Sequence, residues 1–369
     1  MKLIQAPRDV LLKPLQAVSG IVEKRNTLPI LSNVLIERQA ERLDLLATDL
    51  EIQVTTGFGC DKATESGQQV TVSARKLQDI LRALPDSAQA TLEVQTNRLQ
   101  VRSGKSRFTL QTLPAEDFPR LAPAGDGGTT VTLPQRALRA LFLLVQYAMA
   151  QQDIRYYLNG LLIALDDGRI KMVATDGHRL AYATRALDGV TGKAEVILPR
   201  KAVVELVKLL SDSDDPVTME MSSSQVRFGF GDIQLVSKVI DGKFPDYERV
   251  IPTGYERQFT IPRQTLLAAL HRAAILSNEK FRGVRWILGA GSLSISCTNN
   301  EQEEAQDELD IDYSGDAIDI GFNINYVLDV LTNVQAENVQ CAFGDANSSM
   351  LMTLPDDADF RYVVMPMRI

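Results

Sequence analysis

The sequence predicts an α+β protein made of three tandem copies of one domain, each with antiparallel sheet covered by helices on one face. Two observations predict this fold class. The chain of 369 residues repeats one order of helix-like and strand-like segments in three thirds of about 124 residues. The strand-like segments are short, rich in β-branched residues and bounded by turn signals such as Asp-Asp-Gly at 166–168. We place the three domains at residues 1–125, 129–253 and 255–369.

The first element of each third is a helix. Apolar residues recur at helical spacing in segments 8–25, 134–150 and 262–276. A strand and a turn follow. The turns carry corresponding pairs, separated by 127 and then 123 residues: Thr48-Asp49, Thr175-Asp176 and Thr298-Asn299. The similar offsets indicate that the three segments are copies of one unit.

A second helix follows in each third, at segments 74–84, 199–210 and 323–334. The strands that close the first two thirds share a Phe-Pro pair, at 118–119 and 244–245. Segments 122–130 and 251–257 carry the Gly and Pro residues that are typical of connections, so we interpret them as linkers.

The composition narrows the class of protein. With 45% hydrophobic and 23% charged residues, the chain resembles soluble globular proteins, and no apolar run approaches the roughly 18 residues of a membrane span. No signal peptide is visible. The three cysteines, Cys60, Cys297 and Cys341, form no disulfide or metal-binding pattern, which favours a reducing cytoplasm. No nucleotide-binding loop, zinc-peptidase or hydrolase motif is present, so we expect no cofactor and no metal.

Charge is unevenly distributed along the chain. The net charge is −8, yet the six predicted helices carry fourteen basic and five acidic residues, which leaves −17 for the remainder. Basic helix faces are often merely solvated. If these helices line one common surface, however, that surface would attract nucleic-acid phosphates without reading bases. The last helix, 323–334, has no basic residue, so the charge pattern does not support a contact between this helix and nucleic acid.

The helix count suggests how such a surface could close around DNA. Helices pack about 8–10 Å apart, so a ring of six would have a diameter near 20 Å, too narrow for a duplex. Twelve helices would roughly double that diameter, and two copies of the chain supply twelve. The estimate supports a dimeric ring.

The stretch VATDGHRLAY, residues 173–182, groups Asp176, His178 and Arg179. Catalysis is disfavoured because no partner nucleophile or metal-ligand set accompanies this histidine. Asp176 and Gly177 are typical of a turn that ends a strand, and Thr48-Asp49 indicates that this turn belongs to the fold. His178, Arg179 and Leu180 are particular to the middle third, so the turn of the fold does not account for them; His178 is either part of a recognition surface or a packed histidine.

Several long strings resemble one known family, the bacterial DNA polymerase III β subunits, or sliding clamps. They are LLKPLQAVSG, TLPIL, QDIRYYLNG, VATDGHRLA, FPDY, AAILSNEKFRGVR and YVVMPMR. The resemblance implies a cytoplasmic, non-catalytic, head-to-tail dimeric ring, with helices inside and antiparallel sheets outside, that encircles duplex DNA. The implied partners are a second copy of the chain, the DNA polymerase III α subunit, the clamp loader, translesion polymerases, mismatch-repair proteins and ligase, and no membrane.

The resemblance also implies three sets of site residues. The DNA-binding set is Arg25, Arg75, Gln152, Tyr156, Tyr157, Arg200 and Lys201. The cleft that receives partner peptides is formed by Leu158, Thr175, Gly177, His178, Arg179, Leu180, Pro245, Arg249, Val250, Ser349, Val363, Val364, Met365, Pro366, Met367 and Arg368. The dimer interface contains Lys76, Lys105, Arg107, Phe108, Ile275, Leu276, Glu301, Glu303 and Glu304.

The same residues also allow purely structural interpretations, and two other classes of protein remain to be compared. The paired tyrosines at 156–157 are also typical of half-buried core residues, and the acidic run 301–312 is also typical of a solvated edge. A hydrolytic enzyme on a triplicated scaffold would need carboxylates that converge in one cleft. A monomeric scaffold that binds only proteins would retain no DNA.

Overall fold

Six α-helices and 24 β-strands form in the part of the chain that the computed structural model describes, residues 1–23, 28–61, 67–123, 128–166, 168–187 and 192–368. The predicted DNA contact Arg25 and the predicted domain boundary at 125 lie outside these ranges. The helices are α1 (Arg8–Ser19), α2 (Ala74–Ala83), α3 (Gln135–Val145), α4 (Arg200–Leu209), α5 (Arg263–Ala274) and α6 (Ile324–Asn333).

Strands make up the larger share of the described chain. The first twelve are β1 (Lys2–Pro7), β2 (Asn33–Arg38), β3 (Arg42–Thr48), β4 (Ile52–Gly59), β5 (Gln68–Ser73), β6 (Gln89–Gln95), β7 (Arg98–Ser103), β8 (Ser106–Gln111), β9 (Thr129–Pro134), β10 (Gly160–Asp166), β11 (Arg169–Thr175) and β12 (Arg179–Ala186). The remainder are β13 (Ala194–Pro199), β14 (Pro216–Met221), β15 (Gln225–Phe230), β16 (Ile233–Lys238), β17 (Arg257–Pro262), β18 (Gly283–Gly289), β19 (Ser292–Thr298), β20 (Glu304–Asp310), β21 (Ile318–Asn323), β22 (Asn338–Phe343), β23 (Met350–Leu354) and β24 (Asp357–Val364).

Each predicted helix segment contains one observed helix, which begins at or one residue after the predicted start. Ser73 and Asn323 cap α2 and α6, because their side chains accept hydrogen bonds from backbone N–H groups of the first turn. The longer predictions overran at their C-terminal ends. α1 ends at Ser19, just before Gly20, and α3 gives way to a 3₁₀ turn at Gln146–Ala148.

The chain folds as two compact units, Met1–Leu138 with Val204–Val239 and Arg139–Val203 with Ile240–Ile369. The first unit contains a four-stranded sheet, β1-β6-β7-β8, and an eight-stranded sheet, β5-β2-β3-β4-β16-β15-β14-β9. The second contains the eight-stranded sheet β13-β10-β11-β12-β24-β23-β22-β17 and the four-stranded sheet β20-β19-β18-β21. The two compact units therefore divide the chain by sheets and not by thirds. Each eight-stranded sheet combines strands from two neighbouring thirds.

The strand order confirms three tandem copies of one fold. Each third contributes eight strands, and its second to fifth strands always pair in the order fifth, second, third, fourth. Its first, sixth, seventh and eighth strands always form the other half-sheet. The fourth strand of one third pairs antiparallel with the eighth strand of the next, as β4 does with β16 and β12 with β24.

The turns after the third strand share one hydrogen-bond pattern. The Thr48 hydroxyl donates to the Ile52 carbonyl at 2.8 Å, and the Thr175 hydroxyl donates to the Arg179 carbonyl at 2.6 Å. In each turn the following aspartate accepts hydrogen bonds from two backbone N–H groups. Gly177 has a φ of +88°, in the left-handed region that favours glycine. The turn that the Asp-Gly pair predicted is confirmed.

Candidate functional site

The turn after β11 and the C-terminal segment meet in the second unit. β12 pairs with β24, which places Arg179 opposite Val364 and Leu180 opposite Val363. Beyond β24, the backbone N–H of Met365 donates to the His178 carbonyl at 2.9 Å. The structure therefore brings together two segments of the predicted peptide cleft that are distant in sequence.

An apolar cluster underlies this junction. Its buried members are Leu162, Val173, Leu180, Ile197, Phe244, Ile251 and Val363. Leu158, Thr175 and Val364 are buried as well. These five members of the predicted cleft set (Leu158, Thr175, Leu180, Val363 and Val364) present little side chain to solvent, so they form the foundation of the site.

The other predicted cleft residues reach the surface to different degrees. Val250 and Met365 are exposed large hydrophobic side chains. Arg249 is exposed and pairs with Asp246, Nε to Oδ2, at 2.8 Å. Gly177, His178 and Arg368 are exposed, and Pro245, Ser349, Pro366 and Met367 are half-buried. Such a mixture of apolar and cationic groups suits an apolar peptide that also offers carbonyl or carboxylate oxygens.

The Arg179 guanidinium is directed into the protein, and its side chain is only 9% exposed. Its Nε donates to Asp176 at 3.1 Å, one terminal nitrogen to Asp329 at 2.5 Å, and the other to the Tyr147 carbonyl at 2.6 Å. These acceptors occupy all three nitrogens, so Arg179 is placed to organise the site more than to hold a peptide oxygen.

Tyr326 of α6 lies beside this arginine, and the sequence reasoning missed it. The guanidinium carbon lies 4.5 Å from the Tyr326 ring centroid, and the His178 ring stacks on the same tyrosine at 6.5 Å between centroids. The signal was present in the helix pattern, because Tyr326 and Asp329 are three residues apart and so share a helix face.

A closed loop, residues 150–159, docks against the turn. The Asp153 N–H donates to the Asn159 side-chain oxygen at 2.9 Å, and Asn159 Nδ2 donates back to the Asp153 carbonyl at 2.8 Å. Arg155 holds the Asp153 carboxylate with two nitrogens and also donates to the Asp176 carbonyl at 3.1 Å. The hydrogen bonds from Arg155 lower the pKa of Asp153 to about 2.

The two tyrosines of this loop play different parts. Tyr156 is exposed, whereas Tyr157 is half-buried and packs on the apolar cluster. Their rings meet edge to face with centroids 5.8 Å apart. Gln152 is exposed and has a φ of +56°, a conformation that side-chain-bearing residues adopt infrequently. Core packing thus accounts for Tyr157 and leaves Tyr156 and Gln152 free for a ligand.

The remaining predicted DNA contacts differ in setting. Arg75 is exposed on α2. Arg200 is half-buried and donates to the Met149 carbonyl at 3.1 Å; burial and then the nearby Arg179 charge lower its pKa. Lys201 is half-buried and has polar contacts within the protein.

The predicted dimer residues occupy two separate edges. Arg107 and Phe108 lie on β8, Lys105 lies in the turn before it, and Lys76 is exposed on α2. On the second unit, Ile275 is 78% exposed directly after α5, and Leu276 is half-buried. Glu304 begins β20, and Glu301 and Glu303 precede it, all three exposed.

Among the residues described here, no three His, Cys, Asp or Glu side chains group closely enough to hold a metal ion. Within the same ranges, no helix is long and apolar enough to span a membrane.

Comparisons with known proteins agree over the whole chain. Three family models match in order: the N-terminal domain of the DNA polymerase III beta subunit at residues 1–122, its central domain at 132–246 and its C-terminal domain at 248–368. Proteins named beta sliding clamp are similar, at 46% identity in Pseudomonas aeruginosa and 44% in Escherichia coli K12, each over 98% of both chains. The crystal structure of the DNA polymerase III subunit beta from Pseudomonas aeruginosa superposes with a TM-score of 0.95 at 44% identity over all of both chains. A sliding clamp from Caulobacter crescentus superposes at 0.93 and 37% identity, covering 100% of this chain and 99% of its own.

Proposed function

Because the chain belongs to the DNA polymerase III beta subunit family, we propose that two copies close head to tail into a ring that encircles duplex DNA and tethers DNA polymerase III. The ring acts in the cytoplasm as a processivity factor and has no catalytic activity or cofactor of its own. The observation that carries the proposal is that each of the two four-stranded sheets ends in an open edge, β8 in one and β20 in the other.

The open edges are β8 and β20. Inside the chain, the fourth strand of each third pairs with the eighth strand of the next. Among the strands of the described residues, the eighth strand β8 pairs with no fourth strand and the fourth strand β20 pairs with no eighth strand, and each terminates its four-stranded sheet. Edges of this kind recruit further strands. A second copy supplies the missing partner for both, which makes the contact heterologous and closes it by two-fold rotation.

The pairing of β4 with β16 inside the chain also indicates the register in which β20 of one copy would pair with β8 of the other. In β4, Gln53 lies opposite Thr48 of its turn on one side and opposite Val236 of β16 on the other. In β20, Glu304 lies opposite Thr298 of the corresponding turn. Glu304 is therefore the equivalent of Gln53.

The partner position follows from the hairpins. Val236 is the fourth residue of β16, and Thr109 is the fourth residue of β8, and both strands follow a two-residue turn. We therefore place Thr109 of one copy opposite Glu304 of the other, and Phe108 opposite Ala305.

This register matches the two faces of the strands. Phe108 and Ala305 are both half-buried, whereas Thr109 and Glu304 are both exposed. A slip of one residue in either direction would set Phe108 opposite an exposed polar side chain, Glu304 or Gln306. Arg107 lies diagonal to Glu304 in this register, within reach of a charge pair that favours the correct partner edge.

A disulfide tests the register directly. Opposite residues of an antiparallel pair have Cα atoms about 4.5–5.5 Å apart, a distance that a disulfide spans. A chain with Thr109→Cys and Glu304→Cys is expected to oxidise to a covalent dimer. The matched control, Thr109→Cys with Glu308→Cys, lies four residues further along the same strand face and is expected to stay uncrosslinked. A crosslink in the control alone contradicts the register, and no crosslink in either contradicts the contact.

The DNA-binding part of the proposal is supported by exposed groups on and beside the helices. Arg75, Gln152 and Tyr156 are exposed, and Arg200 and Lys201 open α4. Such groups provide weak, sequence-independent contacts to phosphates, which permits sliding. We include Arg25 in this set from the family resemblance.

The partner-binding part is supported by the junction of the His178 turn with the C-terminal segment. Exposed Val250 and Met365, with the half-buried Met367, offer an adaptable apolar surface to peptides of the α subunit, the clamp loader and repair proteins. The tail is anchored at both Met365 and Met367, whose backbone N–H groups donate to His178 and Gly321 carbonyls.

Retention on DNA tests the function as a whole. The protein is loaded onto a nicked circular plasmid by a bacterial clamp loader with ATP, washed in high salt, and the circle is then cut once. A ring survives the wash and leaves on cutting, because topology holds it and salt screens only the phosphate contacts. Loss from the intact circle, while a control clamp stays bound, contradicts the ring.

A further inference from the structure

We propose that Asp329 is a positioning residue for the peptide cleft, acting through Arg179 to hold the Tyr326 ring and the His178 turn in their binding geometry. The inference rests on the cleft assigned under the proposed function. It gives a role to the one charged residue of α6, a helix that carries no basic residue.

Arg179 joins two parts of the second unit that the sequence places 150 residues apart. Two of its three acceptors, Asp176 and the Tyr147 carbonyl, belong to the middle third of the chain. The third acceptor, Asp329, belongs to the last third and receives the shortest of these hydrogen bonds, at 2.5 Å. Asp329 is therefore the ionic anchor that draws Arg179 towards α6.

The anchored guanidinium in turn supports an aromatic stack. The guanidinium carbon lies 4.5 Å from the centroid of the Tyr326 ring. The His178 ring lies beside the same tyrosine, and the two rings are nearly parallel, with an interplanar angle of 19°. A cation over the face of a tyrosine attracts the ring, most strongly where water is excluded. The 9% exposure of Arg179 meets that condition.

The stack borders the exposed part of the cleft. His178 is exposed, and its carbonyl accepts the hydrogen bond from Met365 that anchors the C-terminal tail. A change in the position of Arg179 is therefore transmitted to His178 and to the tail. Each of the three guanidinium nitrogens of Arg179 already donates to an acceptor within the protein, so Asp329 acts by orienting Arg179 and its neighbours.

Asp329→Asn tests the role with little risk to the fold. The carboxylate is 43% exposed, and Arg179 keeps its other two acceptors. The matched control is Asp359→Asn. Asp359 is 47% exposed and pairs with Arg169 at the same distance of 2.5 Å, near the opposite end of β24. Asp329→Glu preserves the charge and serves as the conservative variant.

Two measurements on the full-length dimer read out the effect. The first is the affinity for a fluorescein-labelled peptide that carries the clamp-binding motif of the α subunit, followed by anisotropy. Asp329→Asn is expected to weaken binding about tenfold, Asp329→Glu to restore most of it and Asp359→Asn to leave it unchanged. In an Arg179→Met background, Asp329→Asn should have no additional effect, because the two residues act in series.

The second measurement is NMR of histidines labelled with ¹³C at Cε1. The chain has two histidines, His178 and His271, so the control signal is built in. Asp329→Asn is expected to shift the His178 resonance, which senses the Tyr326 ring, and to leave His271 in place.

The outcomes separate this inference from the cleft itself. Wild-type affinity in Asp329→Asn overturns the positioning role, whether or not His178 shifts. A loss of affinity that persists in the Arg179→Met background also overturns it, because Asp329 would then act without Arg179. A wild-type protein that does not bind the peptide overturns the cleft and this role together, and the NMR comparison still shows whether Asp329 holds the stack.

Discussion

The exposed isoleucine at the end of α5 offers a quantitative test of the dimer interface. Ile275 is 78% exposed in the single chain, although a side chain of this size is usually buried. In the proposed dimer it lies beside β20, where the half-buried Phe108 of the second copy would cover it. We expect Ile275→Ala to weaken the dimer without weakening the fold.

The magnitude follows from the exposure. Ile275→Ala removes three carbons, each of which contributes about 0.8 kcal/mol when buried, so at this exposure each interface loses about 2 kcal/mol. A head-to-tail ring of two chains contains the interface twice. The dimer is therefore destabilised by about 4 kcal/mol, which raises its dissociation constant by roughly three orders of magnitude. Leu276→Ala, added to this change, is expected to leave only monomers at micromolar concentration.

The assay is sedimentation velocity over a dilution series, where the two states differ by one chain mass of 40.7 kDa. The control is Ile154→Ala, which makes the same truncation at a side chain that is 96% exposed and belongs to loop 150–159, not to β8, β20 or the end of α5. Both variants should keep the wild-type circular dichroism spectrum, because neither side chain is packed in the core of the single chain. If Ile275→Ala and Ile154→Ala dissociate over the same range as the wild type, residue 275 is not at the interface.

Three further outcomes are expected. Deleting residues 365–369 should abolish stimulation of DNA polymerase III and leave the dimer mass unchanged, because β24 ends at Val364; normal stimulation would contradict the cleft assignment. The Asp153 carboxyl should titrate by NMR near pH 2. The hydrogen bonds that it accepts from Arg155 are therefore fully present above pH 3.8, the usual pKa, and are lost as the pH falls through about 2. Arg155→Ala should return the midpoint of the Asp153 titration towards 3.8, and an unmoved midpoint would refute the cause. At pH 8 a thiol reagent should label Cys60 first, because burial raises the pKa of the other two thiols to about 11 and about 12; rapid labelling of all three would contradict their burial.

The sequence predicted the elements of the fold well, because the signals for them are local. Apolar spacing marks the helices, and the flanking Ser73 and Asn323 side chains set where two of them begin. The His178 turn is held by hydrogen bonds among residues 175–179, and the same hydrogen bonds recur after Thr48. Such features are visible in a few consecutive residues.

The sequence predicted the site less completely, because its geometry depends on contacts between distant residues. Nothing near Arg179 in the sequence indicates that Asp329 captures it, or that Tyr326 lies beneath its guanidinium. Burial is equally non-local. Leu180 and Val363 match the expected cleft by position, yet their pairing across β12 and β24 places them in the apolar cluster below it.

The sharing of sheets between thirds has a consequence for synthesis on the ribosome. β4 finds its neighbour only when β16 has emerged, and Gly59 and Lys238 are separated by about 180 residues. At about 5–20 residues per second, the edge of β4 stays unpaired for roughly ten to forty seconds. During that interval the first third is a nascent sheet with two open edges, which exposes it to strand exchange with neighbouring polypeptides. Fragments cut between the thirds would keep that exposed edge permanently, so aggregation is their expected fate.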